Sequence, residues 1–313
     1  MKKILITGGT GMVGRAFEDI LPDASFVNSK MYDLKNQLDV NYLFLHEKPD
    51  CVIHLAAKVG GIKANSENLG SFYYDNIMIN TNVLEAARKY KVKKVLSFLS
   101  TCIYPDKVTY PLDEEQIHLG PPHPSNYAYA YAKRMLDIQS QAYRDQYGCN
   151  FITALPNNLF GEHDNFDLEN SHLIPAIIRK VYEAKERNKD VVLWGDGTPL
   201  REFTYSKDLA KIVLLLMDKY DGREPINIGD TTEYSVKQIA EMIAQIMDYK
   251  GNIIWDTSQP SGQHKKPSDN SKLLELGWKT SNYTPFYKAL RNTCEWFVKN
   301  YPNIRGVTCC IIP

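Results

Sequence analysis

Three side chains have the types and spacing needed to move a proton on or off an alcohol oxygen. Tyr129 and Lys133 are in i, i+4 spacing, so on a helix they share a face, and the lysine cation is expected to lower the pKa of the phenol. Ser100 follows a predicted buried strand, 94–99, and could hold a carbonyl oxygen against that phenol. This set predicts hydride transfer at a carbon whose oxygen exchanges a proton with Tyr129.

A glycine-rich turn near residue 8 predicts a dinucleotide site. It follows a short apolar strand, 3–7, and precedes a predicted helix, 12–21. In Gly-x-x-Gly-x-x-Gly spacing, the first glycine permits a tight turn, the second admits a diphosphate and the third lets helix and strand pack closely. The diphosphate would lie at the helix N-terminus. The residues expected to line it are Gly8, Thr10, Gly11, Met12, Val13 and Gly14.

The residues after the second predicted strand favour one form of the cofactor. NAD-specific folds usually place an acid here for the ribose hydroxyls, whereas this chain has Asn28-Ser29-Lys30. A lysine attracts a 2′-phosphate, so NADP(H) is favoured over NAD(H). The alternative is that Lys30 is an ordinary loop lysine.

Strands and helices alternate through the first half of the chain. Predicted helices at 40–48, 72–90 and 129–147 separate predicted strands at 51–57, 94–99 and 151–155. This order predicts an α/β fold with a doubly wound, right-handed parallel sheet of the Rossmann type. Ligands of such sheets bind beyond the carboxyl ends of the strands, where we place Gly8, Ala57, Ser100 and Pro156.

The second half predicts a smaller C-terminal α/β domain that faces the substrate. Its predicted helices are 171–188, 208–220, 235–247 and 285–301, and its predicted strands are 191–194, 226–229 and 251–256. We expect a nucleotide-binding domain at 1–160, to which residues of about 205–230 return, a substrate domain at 161–304 and a disordered tail at 305–313.

Composition excludes several other classes. Lys+Arg and Asp+Glu both total 37, which does not favour nucleic-acid binding. No apolar run approaches the roughly 18 residues of a membrane span, and the N-terminal apolar segment is read as a strand rather than a signal peptide. The six cysteines lack Cys-x-x-Cys spacing and the seven histidines lack a ligand pattern. We therefore expect free thiols, no metal and a cytoplasmic location.

Several motifs together resemble the extended short-chain dehydrogenase/reductases that act on nucleotide sugars. The resemblance covers about residues 2–304 and rests on the glycine turn, His-Leu-Ala-Ala-Lys-Val-Gly-Gly-Ile (54–62), Ser-Thr-Cys-Ile-Tyr-Pro (100–105), Tyr-Ala-Lys (131–133), Gly-Glu-His-Asp-Asn-Phe (161–166), His-Leu-Ile-Pro (172–175) and Leu-Arg-Glu-Phe (200–203). Glu162 departs from the proline that this family usually shows.

The resemblance implies a two-part reaction on GDP-4-keto-6-deoxy-D-mannose. Cys102 and His172 would exchange protons at C3 and C5, which the C4 ketone acidifies. Hydride from NADPH would then reduce C4, while Tyr129 protonates the oxygen, Lys133 polarises Tyr129 and Ser100 orients the carbonyl. A homodimer built on helices 72–90 and 129–147 is implied as well.

The resemblance also implies further binding residues. Those for the GDP diphosphate would be Arg201, Lys180 and Lys266, and those lining the sugar-nucleotide pocket Asn157, Asn165, Trp194 and Asn158. The cofactor would also contact Leu55, Ala56, Ala57, Lys133, Pro156, Asn158, Leu159 and His172.

Rival activities on the same fold are a 4,6-dehydratase, a 4-epimerase, a plain 4-reductase and a non-catalytic NADP-binding regulator. A dehydratase would need a carboxylate just after Ser100, where this chain has Thr101-Cys102. A 4-epimerase needs retained NAD and no acid/base pair for C3 and C5. A regulator has little reason to keep the serine, tyrosine and lysine together, although fold alone does not settle function.

Overall fold

The computed structural model describes residues 2–259 and 264–307, apart from the side chains of residues 62 and 63. Its strands are β1 (Ile4–Thr7), β2 (Ser25–Val27), β3 (Cys51–His54), β4 (Lys94–Phe98), β5 (Phe151–Pro156), β6 (Asn158–Phe160), β7 (Val191–Trp194), β8 (Leu200–Tyr205), β9 (Ile226–Ile228), β10 (Glu233–Ser235) and β11 (Ile253–Asp256). Its α-helices are α1 (Met12–Arg15), α2 (Gln37–Glu47), α3 (Ile62–Glu67), α4 (Leu69–Lys89), α5 (Tyr127–Tyr147), α6 (Leu173–Glu186), α7 (Ser206–Lys219), α8 (Val236–Ile246), α9 (Ser271–Glu275) and α10 (Phe286–Asn300).

A parallel sheet of six strands forms the centre of the fold, in the order β2-β1-β3-β4-β5-β9. β3, β4 and β5 are buried along their whole length, as expected for strands covered on both faces. One hydrophobic cluster includes residues of α2, α4 and α5, and another includes residues of α7 and α9. The predicted doubly wound α/β class is confirmed.

The chain crosses the sheet in a way that creates a crevice. β2 pairs with one edge of β1, and the next strand, β3, pairs with the other edge. The connections that leave β1 and β3 therefore diverge at their carboxyl ends. Such a switch point is where ligands bind in open parallel sheets.

A further hydrophobic cluster lies in the C-terminal half and includes residues of α6, α8 and α10. It packs beside two small sheets, β10-β8-β6 and β11-β7. β9 lies in this half of the sequence but pairs with β5 in the central sheet. The chain therefore returns to the central sheet after building part of the smaller layer.

Several predicted boundaries were wrong. α1 ends at Arg15 instead of Leu21, because the following amides bond three residues back, as from Phe17 to Gly14, and form tight turns. β6, β8 and β10 were not predicted, since β6 and β10 have three residues each and β8 carries charged residues. Residues 305–307 are not a disordered tail: Arg179 bonds the carbonyl of Gly306 at 2.8 Å. The remainder of the predicted tail, 308–313, lies outside the described residues.

None of the helices within the described ranges is both long and apolar enough to cross a membrane.

Candidate active site

The glycine turn after β1 is packed too closely for side chains. Gly8 has φ +70°, and a Cβ there would lie 2.9 Å from the amide nitrogen of Ala56. A Cβ on Gly14 would lie 2.3 Å from the carbonyl oxygen of Gly9. The turn therefore presses against the residues that follow β3 and lies at the switch point of the sheet. Of the three residues predicted to contact the cofactor here, Leu55 and Ala56 take part in this contact, and Ala57 follows them in the chain.

The start of α1 fits an anionic group. Gly11, its N-cap, has an extended backbone and offers no side-chain cap. The first amides of the helix, those of Met12 and Val13, have no acceptor within the helix. Thr10 precedes this cap. Free amides beside a turn without side chains suit a diphosphate, so the residues present fit a dinucleotide.

Lys30 lies in a tight turn just beyond β2. The Asn28 side chain accepts hydrogen bonds from the amides of Lys30 and Met31, at 2.9 and 3.3 Å. The lysine side chain is exposed. No carboxylate occupies the tip of β2, so this turn suits a 2′-phosphate better than bare ribose hydroxyls.

Ser100 and Cys102 lie in a turn directly after β4. Ser100 is the N-cap of a 3-10 helix, Thr101–Ile103, and its hydroxyl oxygen accepts a hydrogen bond from the amide of Cys102 at 3.5 Å. Burial raises the pKa of the Cys102 thiol, while Ser100 and the cations Lys266 and Lys133 oppose that rise. The thiol is therefore held protonated beside groups that favour its anion.

Tyr129 and Lys133 lie on α5, but the expected effect on the phenol was wrong. The Lys133 ammonium donates a hydrogen bond to the carbonyl oxygen of Phe98 at 2.7 Å and lies 6.0 Å from the centre of the Tyr129 ring. Burial raises the pKa of Tyr129, with Cys102 adding to the rise, and burial lowers the pKa of Lys133 to about 8. Tyr129 is therefore a protonated phenol, suited to give a proton.

His172 is the N-cap residue of α6, and its side chain does not cap the helix. The preceding residues lie against the loop after β3, where the amide of Gly61 bonds the carbonyl of Asn170 at 3.3 Å. The protein around the ring lowers the pKa of His172, and the charge of Arg305 adds to this. The imidazole is therefore neutral near pH 7, although its surface is open to solvent.

The predicted phosphate-binding cations fall in two groups. Arg201 and Lys266 lie close enough that Arg201 helps to lower the pKa of Lys266, after burial. Lys180 has different neighbours, with its ammonium 3.0 Å from the carbonyl of Val192 and 6.0 Å from the centre of the Trp194 ring. Trp194 is 60% exposed. Two cations held near each other favour an anion between them, and the exposed indole offers a stacking surface.

The three asparagines proposed for the substrate pocket already have partners in the protein. Asn157 accepts a hydrogen bond from Thr204 at 2.7 Å and donates one to the carbonyl of Asp230 at 2.8 Å. Asn158 donates to the carbonyl of Glu202, and the Asn165 side chain accepts from the amide of Asp167. Their side chains bond within the protein, and their contact with substrate stays a prediction. Pro156 ends β5, and Leu159 lies in β6 beside Asn158.

Two hydrogen-bonded groups near the site were not predicted. His54 is buried between Thr7 and Asn80, at 2.7 and 3.1 Å, and burial lowers its pKa to about 3. Glu202 is buried and binds both the amide and the hydroxyl of Ser268. Neither residue was assigned a role from the sequence. The available signals were a histidine at the end of an apolar strand for His54 and a carboxylate within the Leu-Arg-Glu-Phe motif for Glu202.

Glu162, the departure from the family motif, has a structural role. Its carboxylate accepts hydrogen bonds from Tyr205 at 2.7 and 2.8 Å and pairs with Lys207 at 2.9 Å. The carboxylate of Glu162 therefore has its hydrogen-bond and ion-pair partners within the protein.

A glycine turn at the switch point and a Ser-Tyr-Lys set at the neighbouring carboxyl ends define an NAD(P)-dependent enzyme of the dehydrogenase/epimerase class. The chain belongs to the NAD dependent epimerase/dehydratase family, whose model matches residues 4–229.

Relatives that match nearly the whole chain show which members of this family it is similar to. A protein of Dictyostelium discoideum named GDP-L-fucose synthase is 42% identical over 313 residues, 97% of this chain and 98% of that protein. A crystal structure of a GDP-L-fucose synthetase from Naegleria fowleri bound to NADP has a TM-score of 0.92 and 42% identity, covering 97% of this chain and 95% of that chain. A GDP-6-OMe-4-keto-L-xylo-heptose reductase from C. jejuni has a TM-score of 0.87 and 30% identity, covering 96% and 98%.

Proposed function

We propose that the protein is an NADPH-dependent 3,5-epimerase-4-reductase that converts GDP-4-keto-6-deoxy-D-mannose to GDP-L-fucose. The observation that carries the proposal is that Cys102 stands in the same turn as Ser100, beside Tyr129 and Lys133. A proton-exchanging thiol thus shares one site with the reduction set. Relatives of nearly equal length that bear the name GDP-L-fucose synthase support this substrate.

The epimerisation half rests on Cys102 and His172. The C4 ketone lets the C–H bonds at C3 and C5 break, with the electron pair moving to the carbonyl oxygen as an enolate. The thiol starts protonated and the imidazole starts neutral. One can therefore take a proton from carbon while the other returns a proton to the opposite face.

The reduction half rests on Tyr129, Lys133 and Ser100. NADPH, when bound, supplies the hydride that reaches C4. Tyr129 gives its phenolic proton to the C4 oxygen, and Ser100 holds that oxygen through its hydroxyl. Lys133 is fixed by Phe98 so that its positive charge stands near the phenol, where it stabilises the phenolate left after proton transfer.

The remaining charges have proposed roles in binding. The cofactor diphosphate lies on the glycine turn with Lys30 at the 2′-phosphate. Arg201 and Lys266 bind the GDP diphosphate, Lys180 assists them and Trp194 stacks on a flat ring of the substrate. The central sheet with β9 serves the cofactor and the C-terminal layer serves the substrate.

A homodimer on α4 and α5 is part of this proposal. Both helices expose apolar side chains to a shallow groove, lined among others by Tyr73, Tyr127, Tyr131 and Met135. Exposed aromatic patches of this kind are typical of protein interfaces. Analytical ultracentrifugation tests this: a concentration-independent monomer would contradict it.

A second candidate is a plain GDP-sugar 4-reductase, which the similarity to the C. jejuni heptose reductase favours. The two activities are separated by incubation with GDP-4-keto-6-deoxy-D-mannose and NADPH in heavy water. Reduced sugar with deuterium at C3 and C5 supports the epimerase-reductase. Reduction without deuterium at these carbons makes the protein a plain reductase. NADPH binding without turnover of several 4-keto nucleotide sugars favours the regulator.

A further inference from the structure

A segment of the C-terminal half, residues 264–270, crosses from β8 to the loops that follow β4; we name it the strap. At one end the amide of Leu200 bonds the carbonyl of His264 at 2.7 Å. Further along, Leu112 exchanges backbone hydrogen bonds with the strap, to Pro267 at 2.8 Å and from Asp269 at 2.9 Å. The strap thus joins β8 of the C-terminal half to the loops that follow β4 of the central sheet.

A buried carboxylate fixes the middle of the strap. Glu202 on β8 is 3% exposed. It accepts hydrogen bonds from the amide of Ser268 at 2.9 Å and from its hydroxyl at 2.5 Å. A buried carboxylate is stable only when it is satisfied in this way, so Ser268 and Glu202 hold each other in place.

The side chain of Lys266 extends from the strap to the Thr101–Ile103 turn, which we name the catalytic turn. Its ammonium donates a hydrogen bond to the carbonyl oxygen of Thr101 at 2.8 Å, and Thr101 is the residue before Cys102. Burial lowers the pKa of Lys266, and Cys102 is the largest influence that opposes this. In the opposite direction, Lys266 lowers the pKa of Cys102. The cation and the thiol therefore act on each other.

We propose that Lys266 is a positioning residue for proton exchange at C3 and C5, in addition to any contact with the diphosphate. It fixes the Thr101–Ile103 turn through the Thr101 carbonyl and places a positive charge beside the sulfur of Cys102. When Cys102 gives its proton to carbon, the S–H electron pair stays on sulfur as a thiolate, and the ammonium stabilises that anion. When the thiolate takes a proton from carbon, the C–H electron pair becomes the enolate.

The inference rests on the proposed function for its consequence in catalysis, but the effect on the thiol does not need a substrate. Both positively and negatively charged groups surround Cys102 and Lys266. The groups that face Cys102 or Lys266 from neighbouring elements are Lys133, Tyr129 and Arg134 on α5, Arg201 on β8 and Asp106 after the catalytic turn. Lys133 also favours the thiolate, so removal of Lys266 is expected to weaken the stabilisation and not abolish it.

The test is the pH dependence of Cys102 alkylation by iodoacetamide in the free protein, read by mass spectrometry of the Cys102 peptide. An opposite charge within about 4–6 Å shifts a pKa by about 1–3 units. We therefore expect Lys266→Met to raise the apparent thiol pKa by about 1 unit, which slows alkylation about tenfold below that pKa. Lys266→Arg, which keeps the charge, should remain near the wild type.

Two controls make the result specific. Lys265→Met removes a cation from the adjacent, exposed position and should leave the profile unchanged. Cys149, which is half-buried elsewhere, is alkylated in the same digest and should react alike in every variant. If Lys266→Met proves unfolded by circular dichroism, Ser268→Ala takes its place, because loosening the strap should raise the thiol pKa in the same direction.

The outcomes separate this inference from the proposed function. If Lys266 only binds the diphosphate, Lys266→Met raises KM and leaves the Cys102 alkylation profile unchanged, which overturns the inference. If the profile shifts but wild-type protein does not turn over the proposed sugar, the effect on the thiol stands and the substrate assignment fails. In an active enzyme, Lys266→Met should slow deuterium exchange more than Lys266→Arg at saturating substrate.

Discussion

The ammonium group of Lys133 and the carbonyl oxygen of Phe98 are joined by a buried hydrogen bond of 2.7 Å. This bond ties the second turn of α5 to the last residue of β4, two residues before Ser100. The lysine therefore cannot move away from the phenol of Tyr129 without breaking this buried hydrogen bond. The helix and the strand end are set in register by this contact, which fixes the tyrosine and serine relative to one another.

The first prediction concerns the choice of cofactor. Lys30→Ala should reduce the preference for NADPH over NADH, because the exposed turn loses the cation that meets a 2′-phosphate. We expect KM for NADPH to rise about tenfold, equivalent to about 1.4 kcal/mol, with little change for NADH. Steady-state kinetics with both cofactors measure this. An unchanged ratio of the two KM values would show that another residue recognises the phosphate. Lys35→Ala is a matched control on the following loop.

The second prediction concerns the glycine turn. Gly14→Ala should abolish tight cofactor binding and lower the free energy of unfolding by about 1–3 kcal/mol, because its Cβ would lie 2.3 Å from the backbone of Gly9. Gly70→Ala is the control, since a Cβ there meets nothing within 4 Å and should not lower the free energy of unfolding. Urea unfolding and NADPH titration provide both quantities. Equal behaviour of the two variants would argue against close packing of the turn.

The third prediction concerns a buried carboxyl outside the catalytic set. Burial raises the pKa of Asp164 from 3.8 to about 7, and one of its oxygens has no hydrogen-bond partner in the part of the chain that is described. Because the folded-state pKa is the higher one, the folded protein holds a proton that the unfolded chain releases. Stability should therefore fall as pH rises from about 4 to about 7 and stay level above that.

Asp164→Asn removes this dependence and keeps the oxygen that accepts the Asn165 amide. We expect the variant to be more stable than the wild type by about 1–3 kcal/mol at pH 8, with a much smaller difference near pH 4. Melting temperatures at the two pH values measure the difference. If Asp164→Asn raises the melting temperature equally at both pH values, ionisation of Asp164 is not the cause of the difference in stability.

The sequence sufficed for the central sheet because the local patterns of its strands and helices agree with the α/β order of the whole chain. The apolar strands and their loops specify the parallel order. The glycine turn is recognised from its spacing, because side chains at these positions would clash with the backbone. Ser100 could be placed because strand ends in a parallel sheet meet at one edge, and Tyr129 and Lys133 could be paired because residues in i, i+4 spacing share a helix face. The predicted acidity of the phenol was wrong because burial, which raises the pKa of Tyr129, cannot be read from the spacing to Lys133.

The strap could not be predicted for a related reason. Its contacts join residues far apart in the chain, such as Ser268 with Glu202 and Lys266 with Thr101. A lysine in a polar stretch has no periodic pattern to indicate where its ammonium points. The resemblance to a family indicated that Lys266 belongs to the site, whereas only the folded chain shows its bond to the catalytic turn.

The central claim is that one site performs two separable reactions, and Tyr129→Phe tests it most directly. The variant lacks the phenolic proton for the C4 oxygen but keeps Cys102 and His172. With GDP-4-keto-6-deoxy-D-mannose and NADPH in heavy water, we expect NADPH oxidation to fall at least about a thousandfold. Mass spectrometry should still find deuterium at C3 and C5 of the unreduced sugar, and Cys102→Ser should lose that deuterium. Loss of exchange together with reduction in a folded Tyr129→Phe protein would contradict the division of roles.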